Sequence, residues 1–162
     1  LQARHTDLHF VIPAANAERY QQIESVLKSK SLSVSLVRGQ GRQVMRCSDA
    51  IMIASGTATL EAMLLRKPMV ISYRMASLSW TILSRLVKTP QVGLPNVLAG
   101  EEIVPELLQH RATASQLTDA VSRLLEGDGD RQVRRFDELA RLIGGNFAER
   151  SIDALLPLVK ER

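Results

Sequence analysis

The chain has very few of the residues that build redox, metal or base-stacking sites. Cys47 is the only cysteine among 162 residues, so no disulfide can form within the chain and no cysteine-based metal cluster exists. This usage fits a reducing compartment such as the cytosol. The three histidines, His5, His9 and His110, are scattered along the chain and predict no metal site. Aromatic residues make up only 4% of the chain, which argues against a nucleic-acid surface built on base stacking.

Long apolar runs are absent as well. No stretch approaches the roughly 20 apolar residues that cross a bilayer. The first residues read as the end of a helix rather than as a signal peptide, so we expect the chain to begin in mid-domain. The composition, 45% hydrophobic and 23% charged, is that of one globular domain. The net charge of +4 favours a nucleotide, a phosphosugar or an acidic membrane as partner, although arginines on a solvated surface explain it equally well.

Short apolar segments alternate with amphipathic ones along the chain. The apolar segments predict four strands, at residues 8–13, 33–37, 50–54 and 69–73. Helices are predicted after Asn16 as far as residue 29, directly after residue 57, and at residues 43–47, 77–87, 103–110, 114–126, 132–143 and 147–159. Residues 90–100 hold two prolines and two glycines and predict an irregular loop, and residues 127–130 predict a turn. The alternation predicts an α/β fold, a Rossmann-like parallel sheet with helices on both faces.

One segment, SDAIMIASGTATLEAMLLRKPMVISY, carries the strongest functional signal. Its first apolar strand runs into the small turn Ser55-Gly56-Thr57, and a helix follows at once. Such a junction leaves unpaired backbone N–H groups at the start of the helix, which suits a phosphate or a pyrophosphate. An ordinary helix cap would also account for these small residues.

Glu61 favours the interpretation of this junction as a ligand site over that of an ordinary helix cap. It follows Thr57 by four residues, which is not the spacing of a capping box. Its neighbours in sequence are apolar, and a carboxylate among them needs a polar partner. A carboxylate at this position could hold the hydroxyl groups of a sugar beside the phosphate, as in dinucleotide folds. The structural alternative is an ion pair with Arg66 or Lys67.

Further candidates lie in loops that the topology places at the same edge of the sheet, beyond the carboxyl ends of the strands. The residues Gly39, Gln40 and Gly41 follow the second strand and are predicted to form a wall for a planar base. Arg74 ends the fourth strand and could neutralise phosphate charge, although a surface arginine is the commoner outcome. Asn96 has an amide that could bind a sugar or a phosphate, or could close a local turn.

Two blocks of sequence together resemble one enzyme family. ASGTATLEAMLLRKPMVISYRM, followed by LVKTPQVGLPNVLAGEEIVPELLQ, is similar to the C-terminal half of lipid-A-disaccharide synthase, an inverting glycosyltransferase of the GT-B class. The similarity runs from LQARHTDLHFVIPAAN at the start to the C-terminal helices. Other GT-B enzymes share the small-residue turn and the helix glutamate but lack the second block.

The resemblance implies a reaction. The family joins the diacylglucosamine of a UDP-activated donor to 2,3-diacylglucosamine 1-phosphate and releases UDP, at the cytoplasmic face of the inner membrane of Gram-negative bacteria. It also implies that Ser55, Gly56 and Thr57 face the pyrophosphate and that Glu61 faces the ribose. No metal, no other cofactor and no nucleic acid is expected, so that helix N-termini and basic side chains would stabilise the leaving UDP.

The remaining roles follow from the same resemblance. The loop at residues 38–41 would border the uracil, and Asn96 would lie near the point of sugar transfer as a catalytic residue. Residues 1–145 are expected to form the UDP-sugar-binding domain, truncated at its N-terminus. Residues 146–162 would form a helix that packs on an absent N-terminal domain or on a partner subunit, which would give a homodimer.

The resemblance further implies that acceptor binding, the general base and much of the membrane contact belong to the absent domain, so this part is expected not to turn over alone. A helix around Trp80 is the candidate membrane contact within this chain, although core packing explains a tryptophan equally well.

Two other functions stay open from the residues. A UDP-sugar 2-epimerase shares this architecture but would need additional acidic and histidine residues around the sugar. A non-catalytic nucleotide-binding or scaffolding module would need no such residues. UDP binding that depends on Glu61 separates the glycosyltransferase from the scaffold.

Overall fold

The computed structural model describes residues 1–30, 34–54, 56–75, 91–144 and 156. Five strands lie in these ranges: β1 Phe10–Ala14, β2 Val34–Arg38, β3 Ile51–Ile53, β4 Met69–Tyr73 and β5 Glu106–Leu108. The helices are α1 Ala17–Leu27, α2 Gly41–Cys47, α3 Thr57–Leu64, α4 Leu94–Ala99, α5 Ala114–Arg123 and α6 Gly129–Ile143. A 3₁₀ turn, Gln109–Arg111, follows β5, and a π-helical turn, Leu124–Asp128, connects α5 with α6.

All strand pairs are parallel, and they form two sheets in the described residues. Strand β1 pairs with β2, and the second sheet has the order β3-β4-β5. Ile71 in β4 lies opposite Ile53 on one side and Glu106 on the other. The predicted fold class, α/β with parallel strands and covering helices, is confirmed. The described residues form five strands where four were predicted, because the sequence analysis assigned β5 to a helix.

The three-stranded sheet is covered by side chains on both faces. Successive residues of β4 alternate between two buried clusters, so that Met69 and Ile71 lie in one and Val70 lies in the other. The first cluster includes Met63 from α3 and Phe136 from α6, both fully buried. The second is formed with Leu107 and the apolar side of α5. The first three residues of β4 are apolar and buried, as burial of both faces requires.

Several elements begin and end close to the predicted residues. The fourth predicted strand coincides with β4. The side chain of Asn16 caps α1, because its Oδ1 accepts a hydrogen bond from the Arg19 backbone N–H at 2.9 Å. Pro13, the last residue of the first predicted strand, lies inside β1 opposite Val37. Because β1 has only one partner strand among the described residues, the missing N–H of proline interrupts no ladder there.

The sequence-based assignments of residues 90–110 were wrong in two places. The predicted helix at 103–110 is instead β5 and a 3₁₀ turn, because pairing with β4 outweighs the helix propensity of the sequence. The predicted loop at 90–100 contains α4, in which Pro95 occupies the first turn, where its missing N–H costs nothing. Gly100 ends this helix in the left-handed conformation, with φ 70°.

The predicted turn at residues 127–130 is shorter than expected. Only Gly127 departs sharply from helical geometry, with φ 134°, and α6 already begins at Gly129. A side chain at Gly129 would put its Cβ 2.7 Å from the Leu124 carbonyl oxygen and 3.0 Å from Pro68, so the chain can turn this closely only with glycine there.

One buried glutamine, which sequence analysis did not single out, joins α6 to the sheet. Gln132 accepts a hydrogen bond from the Met69 backbone N–H at 2.6 Å and donates to the Met69 and Ile103 carbonyl oxygens at 3.1 and 3.2 Å. The start of β4 therefore has its backbone groups satisfied by a helix instead of a further strand.

The predicted helices at 77–87 and 147–159 lie outside the described residues, apart from Leu156, which is helical and exposed. The proposed membrane contact around Trp80 and the packing role of the C-terminal helix belong to those segments. Among the helices of the described ranges, none combines the length and the apolar character needed to cross a bilayer.

Candidate functional site

The start of α3 is open and is shaped by a glycine. Gly56 precedes the first helical residue with φ 143° and ψ −172°, a conformation that residues with a side chain rarely adopt. A Cβ built at this glycine would meet no atom within 4 Å. The backbone conformation, and not crowding by the described residues, therefore requires glycine here. Ser55, the first residue of the predicted phosphate turn, lies outside the described residues.

The first turn of α3 has backbone donors without acceptors. Thr57 is the first residue of the helix, not its cap, and the cap residue Gly56 has no side chain that could bond to the helix. The backbone N–H groups of Thr57 and Ala58 have no hydrogen-bond acceptor in the part of the chain that the structure describes, and both residues are exposed. The buried Thr59 bonds inward, through its N–H at 3.1 Å and its hydroxyl at 2.7 Å, to the Gly56 carbonyl oxygen. Outward-facing N–H groups at a helix start favour an anion.

Glu61 lies one turn further along α3, at the surface. Its side chain is 42% exposed, and its Oε1 lies 3.6 Å from the Nε of Arg42 on α2. The carboxylate thus has the polar partner that its apolar neighbours in sequence require. The alternative pairing with Arg66 or Lys67 was wrong, since Arg66 pairs with Asp137 instead. An exposed pair at this distance is weak, so the carboxylate stays accessible to a ligand.

The loop between β2 and α2 has an unusual backbone. Gly39 and Gln40 both have positive φ, at 62° and 59°. The Gly39 N–H donates to the Ala14 carbonyl oxygen at 2.8 Å, which ties the loop to the end of β1. Gly41 is the first residue of α2. A left-handed glutamine costs about 1 kcal/mol or more, and such conformations are found preferentially at functional sites.

Two arginines flank this edge. Arg38, at the end of β2, holds its guanidinium 4.7 Å from the centroid of the Tyr20 ring, a cation–π contact. Arg74 follows β4, is exposed, and has no ion-pair partner within the described ranges. The contact from Arg42 to Glu61 joins the helix after the β2 loop to α3. Among the predicted residues, Glu61 is thereby connected to the helix that begins at Gly41.

Asn96 does not share this surface. It is fully buried in α4, and both ends of its amide are used within the protein. Its Nδ2 donates to the Val104 carbonyl oxygen at 2.8 Å and to the Glu106 carboxylate at 2.7 Å. Its Oδ1 accepts from the backbone N–H groups of Ile103 and Val104, at 2.9 and 2.8 Å. No hydrogen or lone pair of the amide remains for a substrate, so the geometry argues for a structural role and against direct contact with a transferred sugar.

Glu106 completes this buried network and was missed from sequence. Its Oε2 accepts from the Val92 N–H at 2.9 Å, and its Oε1 accepts from the Gly93 N–H at 2.8 Å. The carboxylate thus holds the segment that enters α4 against the sheet. Gly93 is needed there, because a Cβ would lie 2.2 Å from the Ile71 Cδ1. A short, mostly apolar run after a proline is also consistent with a buried strand, so the strand at residues 106–108 could have been predicted from sequence.

A cleft of about 350 Å³ lies elsewhere, beside the start of β5. Pro105, Arg123 and Arg131 are among its lining residues, and none of the predicted site residues is. A hydrogen bond to Glu101 and the charge of Glu138 raise the pKa of Arg135, another lining residue. This cleft is at the opposite end of the strand from the predicted ligand edge, so it does not coincide with the candidate site.

The expectation that the site binds no metal stays a prediction. Within the ranges that the structure describes, no three histidine, cysteine or acidic residues lie close enough together to hold a metal ion.

Comparison with known proteins gives a consistent result. The family model for lipid-A-disaccharide synthetase matches residues 1–156. The chain is similar to a lipid-A-disaccharide synthase of Pseudomonas putida strain W619, with 48% identity over 155 residues, which cover 96% of this chain and 41% of that protein. It is 45% identical to the one from Pseudomonas entomophila strain L48, over 96% of this chain and 41% of the relative. Identity to the synthase of Pseudomonas fluorescens strain SBW25 is 42%, over the whole chain and 42% of the relative.

The chain thus spans about two fifths of the length of these relatives. The family model covers nearly all of its residues, including the open start of α3, the loop before α2 and the buried network around α4. This chain therefore belongs to the lipid-A-disaccharide synthetase family.

Proposed function

We propose that this chain binds the UDP portion of a nucleotide-sugar donor at the start of α3. The observation that carries the proposal is the pair of N–H groups at Thr57 and Ala58, which have no acceptor among the described residues, with an accessible carboxylate one turn further on. The N–H groups would bind the diphosphate, and Glu61 would accept hydrogen bonds from the ribose hydroxyls.

The spacing of these groups supports one bound nucleotide. A helix rises about 1.5 Å per residue, so Glu61 lies about 6 Å along the axis of α3 from Thr57. A diphosphate and the ribose attached to it are close enough to reach both positions. Gly56 allows the close approach, because it has no side chain and no described atom lies within 4 Å of where a Cβ would stand.

The neighbouring residues supply the rest of the proposed site. The loop at Gly39, Gln40 and Gly41 would border the uracil, and Arg74 would offset phosphate charge. Ser55 would add a hydroxyl to the diphosphate pocket. Asn96 has a different role in this proposal from the one expected. It fixes the backbone between α4 and β5 and makes no contact with the reacting sugar.

The proposed reaction yields the lipid A disaccharide that the names of the relatives give as their product. The complete protein would be an inverting glycosyltransferase of lipid A biosynthesis. It would transfer diacylglucosamine from UDP to a diacylglucosamine 1-phosphate acceptor, with the acceptor site and the general base supplied by residues outside this chain. The α3 N–H groups would stabilise the charge that develops on the departing UDP. We expect the reaction at the cytoplasmic face of the inner membrane, on a peripherally bound enzyme, with residues 146–162 packing on another domain or on a second subunit.

Calorimetric titration with UDP tests the nucleotide proposal. We expect UDP to bind in the presence of a chelator, and magnesium should not raise the affinity, because backbone N–H groups and arginines would bind the phosphates in place of a metal ion. Glu61→Ala should weaken UDP binding about tenfold to a hundredfold, since it removes a charged hydrogen-bond acceptor. Glu24→Ala is the matched control, because Glu24 is also a helical glutamate in an exposed ion pair, with Lys28 at 3.0 Å.

The control variant should bind UDP like the wild type. Absence of UDP binding by the wild-type chain would overturn the proposal. Equal binding by the Glu61→Ala variant and the wild type would remove the role of the carboxylate and favour a different mode of nucleotide binding.

A further inference from the structure

Arg42 has no assigned role in the proposed site, yet it contacts the Glu61 carboxylate of that site. The residue belongs to the first turn of α2, directly after the loop proposed to border the base. Its Nε lies 3.6 Å from the Glu61 Oε1, where the ribose hydroxyls would bind. A ligand that bonds to Glu61 must therefore either displace this guanidinium or share the carboxylate with it.

The contact is weak enough to be exchanged. A separation of 3.6 Å exceeds a normal hydrogen bond, and the side chains of Arg42 and Glu61 are 68% and 42% exposed. Exposed pairs of this kind contribute little to stability. Arg42 makes no other hydrogen bond or ion pair in the described part of the chain. Its guanidinium can thus leave Glu61 without breaking another interaction within the described residues.

Binding of a nucleotide diphosphate would favour movement of the Arg42 guanidinium towards the phosphate groups. The diphosphate at Thr57 and the Glu61 carboxylate are both negative and would lie about one helical turn apart, so they repel each other. A guanidinium between them offsets that repulsion and can donate to a phosphate oxygen in a fixed, planar geometry. No other arginine contacts Glu61 among the described residues.

We propose that Arg42 is a phosphate-binding residue of the nucleotide site, held by Glu61 until the diphosphate binds. The inference rests on the proposed binding of UDP by α3. It adds that the arginine recognises the diphosphate and not the nucleoside, so that it discriminates UDP from uridine.

The test compares UDP with uridine in two arginine variants. UDP binding is measured by calorimetry, and uridine binding by ligand-observed NMR, which remains sensitive at weak affinity. Arg42→Ala should weaken UDP binding about tenfold or more, which is the loss expected for one charge-assisted hydrogen bond, and should leave uridine binding within about twofold. Arg46→Ala is the matched control, because Arg46 lies on the same helix, is exposed, and makes no ion pair in the described residues. It should change neither affinity.

Two outcomes would overturn this inference. An equal loss of UDP and uridine affinity in Arg42→Ala would mean that the arginine only orients Glu61. Unchanged UDP affinity would mean that it has no role in binding. Failure of the wild-type chain to bind UDP would instead overturn the proposed function itself, so the two failures are distinguishable. Unchanged thermal unfolding of Arg42→Ala confirms that the comparison concerns binding.

Discussion

The polar groups at the junction of α4 with β5 differ from those at the start of α3 in whether they have partners among the described residues. At the α4–β5 junction, Asn96 and Glu106 are buried and every polar atom of the asparagine amide has a partner within the protein. At the start of α3, the N–H groups of Thr57 and Ala58 have no partner among the described residues, and Glu61 is held only by an exposed arginine.

The difference separates groups that maintain the fold from groups available to a ligand. A buried polar atom must be bonded, because leaving it unpaired costs about 1–3 kcal/mol. An exposed one can bond to water and exchange that water for a ligand at small cost. Chemical suitability of a side chain is therefore not enough to predict a binding residue. The asparagine and the glutamate at residues 96 and 61 were equally suitable in sequence, and only one of them is accessible.

Asn96→Ala should show the largest effect, on stability. It leaves the N–H groups of Ile103 and Val104 and the carboxylate of Glu106 without their partner in a buried region. The free energy of unfolding should fall by about 3 kcal/mol, measured by urea denaturation. Asn16→Ala, at the exposed cap of α1, should cost only about 1 kcal/mol. Equal losses for the two variants would contradict the contrast between the regions.

Gly56→Ala should show the next largest effect. Alanine strongly disfavours φ 143° with ψ −172°, so the free energy of unfolding should fall by about 1–3 kcal/mol, or the start of α3 should rearrange and lose UDP affinity. Gly41→Ala provides the control, because Gly41 begins a helix, has no positive φ and has open space around it. Its stability should stay the same or rise by up to about 1 kcal/mol. Full stability together with full UDP affinity in Gly56→Ala would show that the glycine is not needed.

Glu61→Gln should have the smallest effect on stability, although it should reduce UDP binding. Since its ion pair is exposed, the free energy of unfolding should change by no more than about 0.5 kcal/mol. Glu24→Gln, which loses a comparable exposed pair with Lys28, should change stability equally little and leave UDP binding intact. A loss of about 2 kcal/mol in the free energy of unfolding for Glu61→Gln would show that Glu61 stabilises the fold.

Sequence reasoning succeeded where local signals and tertiary structure agree. The position of β4 follows from an apolar run after a proline, and the cap of α1 follows from the chemistry of Asn16. The open turn at Gly56 follows from small residues between a strand and a helix. In each case the residues within one turn decide the conformation.

Sequence reasoning failed where contacts between residues distant in the sequence determine the structure. The residues around Glu106 have good helix propensity, but pairing with β4 makes them a strand, and the carboxylate serves backbone groups more than ten residues earlier in the chain. The partner of Glu61 was sought within its own helix, at Arg66 and Lys67, and comes instead from α2. Such contacts depend on how the elements pack, which one sequence does not reveal.

The central claim is that the start of α3 binds the diphosphate of UDP while the buried network stays untouched. A titration of the ¹⁵N-labelled chain with UDP, followed through its backbone amide NMR signals, tests it most directly. We expect the largest shifts at Thr57, Ala58 and Gln40, with the amides of Ile103 and Val104 unmoved. Shifts centred on the cleft near Arg123 and Arg131, with no change at Thr57 and Ala58, would contradict the account.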